Sequence, residues 1–192
     1  LIIFEVTMPT KVFDDLPIEK QQLIKTSFLS LLEKKSIDKI TFNSLAHEVG
    51  FARASLYVYF KDKKDLCNYV FSDFSNSITE KLKRIHEESN DLFFNAKNCL
   101  KAFQETIIEF DYCKIIENVA DGLKISPVEG YQFFEGAIDY IYKNFQTYDR
   151  NIVEIVLILL KHSTGHLFSD FNNNESCISK FEMQLELVSK IH

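Results

Sequence analysis

Glycine and proline are scarce in this chain, at 5 and 3 of 192 residues. An architecture of many short strands needs far more turn punctuation, so the scarcity disfavours a sandwich and points to long helices. Tryptophan is missing altogether, while 18 Phe and 8 Tyr are present, so much of the core must be built from phenyl rings. No CxxC pair occurs among Cys67, Cys99, Cys113 and Cys177, which argues against a zinc ribbon or a disulfide framework. Reduced thiols and a cytoplasmic location are the expectation. No apolar run reaches the roughly 20 residues of a membrane-spanning helix: the strongest, Ile152 to Leu160, contains Glu154 and stops at Lys161. It reads as a buried helix. Residues 1–4 are apolar, but Glu5 follows and no basic segment precedes them, so neither a secretory signal nor a membrane partner is expected.

What is present is ordinary globular material, 46% hydrophobic and 26% charged, which excludes a wholly disordered chain. The net charge of −6 argues against indiscriminate binding of nucleic acid, yet it is unevenly spread. Residues 1–66 carry 10 Lys and Arg against 9 Asp and Glu, whereas residues 67–192 carry 12 against 19. A polyanion would therefore be met by the first third of the chain, through a locally basic surface.

Leu23, Ile24, Phe28, Leu31 and Leu32 recur at helical spacing and predict an amphipathic helix over 17–34. After a break at 36–39, Thr41 is placed to cap a short helix whose inward positions are Phe42, Leu45, Ala46 and Val49. Gly50 closes it, and Ala52 to Tyr59 has room for a third short helix. Two short helices joined by a glycine turn form a helix-turn-helix. Longer helices are predicted over 63–86, 92–111, 113–121, 127–146, 150–169 and 175–190, the first of them leading from the small head into a larger body. The fold class is thus all-α.

In a helix-turn-helix that binds DNA, the second helix lies in the major groove and its neighbours hold phosphates. Arg53 has the two donors that match a guanine edge, and Ser55, Tyr57 and Tyr59 place hydroxyls on or beside the same helix. Thr41 and Ser44 begin the preceding helix, where hydroxyls and backbone N–H groups suit a phosphate, and Lys61, Lys63 and Lys64 add charge beyond it. Short amphipathic helices with a glycine turn also occur in bundles that never meet DNA, so periodicity alone leaves both readings open.

The residues themselves go further. The stretch from Thr41 to Leu66 resembles the DNA-binding head of the tetracycline-repressor (TetR) family of bacterial regulators. Thr41, Leu45, Ala46, Gly50, Leu56, Tyr57, Tyr59, Phe60, Lys63 and Leu66 fall where that family's pattern expects them. Two positions depart from it: Ala52 stands where the family usually has Ser, removing a cap and phosphate contact, and Ala54 stands where Gly is common. An altered operator preference is the expected consequence.

The resemblance implies a three-helix DNA-binding domain over 1–62, with residues 1–12 a flexible extension, joined by the long fourth helix to a ligand-binding and dimerisation domain over 63–192. It implies a non-enzymatic, ligand-responsive regulator, a repressor released from a pseudo-palindromic operator on double-stranded DNA by a small effector. It further implies a homodimer through 150–169 and 175–190. The apolar residues Ile152 to Leu160 suit that role, because they cover too much of the helix circumference for one wet face. Pocket candidates are Phe103, Phe110, Tyr112, Cys113, Tyr131, Phe133, Phe134 and Tyr140, with His162 and His166 nearby; phenyl-lined cavities suit an apolar or aromatic effector. No cofactor is implied. His162 and His166 stand four apart, a spacing that chelates metals, so a metal or thiol-based redox sensor on the same fold is the alternative. No nucleophile–base motif of an enzyme is found.

Overall fold

Helices, short 3-10 turns and connecting loops account for the residues described by the computed structural model, which are 9–122, 143–145 and 147–190; no strand occurs among them. The chain divides into two compact units, the first ending at Asp73 and the second beginning at Phe74.

The first unit contains α1 (Lys11–Asp14), α2 (Ile18–Lys34), a 3-10 turn (Ile37–Lys39), α3 (Phe42–Val49), α4 (Arg53–Tyr59) and α5 (Lys63–Val70). On α2, Ile24, Phe28, Leu31 and Leu32 are buried, but Leu23 is exposed. It sits about 100° around the helix from Ile24, off the inward stripe. The expectation of a flexible extension over 1–12 fails at residues 10–12, because the chain there is fastened to the head. The Thr10 backbone N–H donates to the Tyr59 carbonyl at 3.0 Å and its hydroxyl to the Val58 carbonyl at 2.8 Å. Phe13 is 1% exposed and packs its ring on Tyr59, Phe60 and Tyr69. The Gln21 amide donates to the carbonyls of Phe13, Asp14 and Leu16, tying this entry segment to α2.

The helix expected over 63–86 is two helices. It breaks at Phe71, a buried residue with φ −93° and ψ 7°, and resumes as α6 (Ser72–Glu88). The break follows from where α5 is buried: Leu66, Cys67 and Val70 join the core of the head, and α5 packs on α2. Lys25 of α2 forms an ion pair with Asp73. The first unit consequently extends well past residue 62.

The second unit contains the rest of α6, then α7 (Leu92–Glu109), α8 (Cys113–Gly122), α9 (Arg150–Ser169), a 3-10 turn (Phe171–Asn173) and α10 (Asn174–Ser189). Asp91 caps α7 by accepting from the Phe94 N–H at 2.6 Å, and Asp149 caps α9 by accepting from Asn151 at 2.9 Å. Asp111 makes the turn between α7 and α8 in the left-handed region, φ 54°, which a short polar side chain tolerates. Helix α9 packs on α7, α8 and α10. Leu100, Phe103 and Ile107 of α7, Val156, Leu160 and Leu167 of α9, and Phe181 of α10 are among the fully buried residues of these helices. The helix expected over 127–146 lies almost wholly outside the described residues. No single described helix is long and apolar enough to cross a membrane.

Because Phe13 is as buried as any core ring, Phe13→Ala should cost roughly 3–5 kcal/mol of stability. Val12→Ala, at a position 53% exposed, should be close to neutral. Urea unfolding followed by circular dichroism distinguishes a core position from a loose extension.

Candidate nucleic-acid interface

Helix α3 begins with a reciprocal cap: the Ser44 N–H donates to the Thr41 hydroxyl at 3.1 Å, and the Thr41 N–H donates to the Ser44 hydroxyl at 3.0 Å. Both hydroxyls therefore have an intramolecular task at the helix entrance. Phe42, Leu45, Ala46 and Val49 are buried as expected. The helix ends at Gly50, φ 68°, with the Gly50 and Phe51 N–H groups both donating to the Ala46 carbonyl. A Cβ added at Gly50 would meet nothing within 4 Å, so glycine is needed for the left-handed backbone and not for space.

The next helix, α4, is held by its inner face, where Leu56 is fully buried and Phe60 follows as a buried residue. Its outer face carries Ala52, Arg53, Ala54, Tyr57 and Val58, all exposed, with Ser55 half-exposed. The structure thus brings Arg53 and Tyr57 together on one open surface, whereas Ser55, about 200° around the helix from Arg53, is half-exposed on another side. The Arg53 guanidinium donates to the Tyr57 hydroxyl at 3.2 Å and lies 5.4 Å from the centre of its ring. The Tyr57 ring also packs on Phe42, 4.8 Å between centres. Ala52 occupies the N-cap position and supplies no side-chain cap to α4.

Two expected contact residues are placed differently. Tyr59 is half-buried against Phe13, so its ring supports the head more than it addresses the groove. Lys63 is half-buried, and its ammonium donates to the Ile37 carbonyl at 2.8 Å, at the start of the 3-10 turn. One of its three donors ties α5 to that turn. Lys61 remains exposed.

Sequence reasoning missed two supports of α4. One is Thr10, already described. The other is the acidic pair Asp62 and Asp65: Asp62 caps α5 by accepting from the Asp65 N–H at 2.9 Å, and the buried Asp65 carboxylate accepts from the Lys61 N–H at 3.1 Å. The D-x-x-D spacing ahead of an apolar run was a readable signal for this cap. Thr10 had none, because its partners are carbonyls 48 and 49 residues away.

In the second unit, Phe110 and Tyr112 form a ring cluster with Phe74, at 5.4 to 5.6 Å between centres, and Cys113 is half-buried beside them in sequence. Phe103 packs on Phe168. Tyr131, Phe133, Phe134 and Tyr140 lie outside the described residues. His162 does not join the aromatic cluster: it is exposed on α9 beside His166, with ring centres 4.5 Å apart. Partial burial, with His162 and Lys180 adding like charge, holds His166 below the ordinary histidine value. Burial pushes the thiols up: Cys67 to about 12, Cys99 strongly, and Cys113 and Cys177 in the same direction. None of these settings favours the thiolate that a redox sensor needs.

Residues 29–70 match the family described as bacterial regulatory proteins, tetR family. An HTH-type transcriptional regulator of Staphylococcus aureus (strain bovine RF122 / ET3-1) is 25% identical over 134 residues, covering 69% of this chain and 70% of that one. Another HTH-type transcriptional regulator, from S. aureus strain USA300, is 38% identical over 52 residues, which span 27% of this chain and only 28% of the relative. The crystal structure of a TetR family transcriptional regulator from Chloroflexus aurantiacus J-10-FL superposes with a TM-score of 0.51 over 95% of this chain and 97% of that one. Its identity is 15%, and the likeness is one of fold.

The Lys63 tether yields a prediction. Lys63→Ala should lower stability by about 1 kcal/mol through loss of a charge-assisted hydrogen bond, whereas Lys61→Ala should leave stability unchanged. Thermal unfolding of the two variants checks the assignment.

Proposed function

We propose that this chain, which belongs to the tetR family of DNA-binding transcriptional regulators, acts as a homodimeric repressor released from a pseudo-palindromic operator by a small apolar or aromatic effector. The observation that carries the DNA-reading part is the exposed pair Arg53 and Tyr57 on a helix anchored through the buried Leu56 and Phe60. Arg53 donates two parallel hydrogen bonds to a guanine edge in the major groove while its guanidinium stays against the Tyr57 ring. Ser55 offers a hydroxyl from another side of the helix. Lys61 meets phosphate as a mobile point charge, and the entrance of α3 offers a further phosphate contact at Thr41 and Ser44. Ala52 leaves the first turn of α4 uncapped and gives up the hydroxyl common in the family.

Homodimerisation is assigned to α9 and α10. Ile155 and Ile158 are 42% and 61% exposed on α9, and Met183 and Leu187 are 62% and 58% exposed on α10, which packs beside it. Large apolar side chains left in water on two adjacent helices are what a four-helix contact between two copies would cover. Two heads then enter successive major grooves with centres roughly 34–36 Å apart. The effector region is assigned to the aromatic residues of the second unit, Phe103, Phe110, Tyr112 and Cys113, with Tyr131 and Phe134. Whatever factor the effector takes from operator affinity, the operator takes from effector affinity.

Two experiments test this reading. Against a duplex selected from a random pool, Arg53→Ala should lose about 1–3 kcal/mol while its affinity for a shuffled duplex hardly changes; equal losses on both would remove the base-reading role. Ile158→Asp should turn a dimer into a monomer in sedimentation velocity, and a dimer that persists would move the interface elsewhere.

A further inference from the structure

We propose that His162 and His166 are half of a zinc-type transition-metal site, which a second copy of the chain completes with the same two residues. This rests on the reading of α9 as the homodimer face. The two imidazoles are four residues apart, which places them one above the other on the helix, and their ring centres are 4.5 Å apart. Both are exposed. Imidazole nitrogen suits zinc, nickel and copper, and a zinc ion held structurally takes four ligands in a tetrahedron. Among the described residues no group of three or more His, Cys, Asp or Glu side chains is gathered closely enough to hold a metal ion. The described residues of one chain therefore offer two positions of the four.

The missing pair has a natural source in symmetry. Ile155, Ile158, His162 and His166 follow one another at spacings of three, four and four, so they form a single stripe along α9. A two-fold contact sets a surface patch against its own copy. A two-fold axis that crosses this stripe between His162 and His166 sets the two imidazole pairs face to face and leaves the exposed isoleucines in the same interface, so that two chains supply four. The thiol of Cys177 is the nearest softer ligand type, but it donates to the Ser163 carbonyl at 3.2 Å and is half-buried on α10. The Asp170 carboxylate, one turn beyond His166, accepts from the Asn173 amide. This face is thus occupied by a second copy of the chain, with one ion between the two histidine pairs.

The test uses the full chain stripped with chelator and titrated with Co2+ alone as a spectroscopic stand-in for zinc, with sedimentation velocity run in parallel. One Co2+ per pair of chains, with the intense visible absorption of a tetrahedral site, is expected. His162→Gln and His166→Gln should each abolish it, His47→Gln should not, and added Zn2+ should displace the cobalt. Zn2+ should also tighten self-association of the unmodified chain by about tenfold or more and leave that of the two variants unchanged. A protein that sediments as a dimer but shows no tetrahedral cobalt signal would overturn the metal site and leave the dimer standing. One ion per chain, without effect on self-association, would equally overturn the shared site. A chain that stays monomeric with and without metal would overturn both readings together.

Discussion

A helix of seven residues cannot sustain itself in water, because the cost of nucleation is not recovered over so few hydrogen bonds. Helix α4, Arg53–Tyr59, exists only because its surroundings hold it. Leu56 and Phe60 fix its inner face, the left-handed Gly50 sets the angle at which it leaves α3, and Thr10 accounts for two of the carbonyls at its end. Asp65 then secures the backbone N–H of Lys61 just beyond it. Each support lies on a different segment, so the outward face can vary in sequence without loss of the frame. Ala54 falls on that outward face and leaves what holds the helix untouched, whereas Ala52 leaves its first turn without a side-chain cap.

The same division explains how much of the molecule the sequence discloses. Local signals were enough for the helix-turn-helix: Thr41 as a cap, the inward set from Phe42 to Val49, and Gly50 as a stop are all short-range features, and each is found in place. The bounds of α9 agree with its apolar pattern for the same reason. Long-range features were not legible. The entry segment reads as polar and loose, and only the burial of Phe13 among Tyr59, Phe60 and Tyr69 makes it part of the core. The break at Phe71 was hidden because a helix-compatible residue occupies it and no glycine or proline marks it. Lys63 resembled a phosphate ligand by composition, whereas its reach to Ile37 depends on the packing of α5.

In the second unit, pattern and structure meet at α9. An apolar circumference too wide for one buried face resolves into a buried set, Val153, Val156, Leu157 and Leu160, and an exposed set, Ile155 and Ile158. The buried set accounts for the packing on α7, α8 and α10. Among the described residues the exposed set has no such account, and it runs directly into His162 and His166. The pocket candidates divide differently: Phe110 and Tyr112 do come together with Phe74, whereas Phe103 pairs with Phe168 and His162 faces outward.

With Arg53 as the proposed base reader, the resting place of its side chain has a consequence for recognition. A long, freely rotating arginine must surrender most of its rotamers when it docks, and that lost freedom opposes association. Here the guanidinium already leans on the Tyr57 ring, and that ring is steadied by Phe42. On that proposal part of the ordering is in place before a duplex arrives, and the entropic penalty of recognition falls. An aromatic residue one helical turn away then tunes affinity by steadying the arginine.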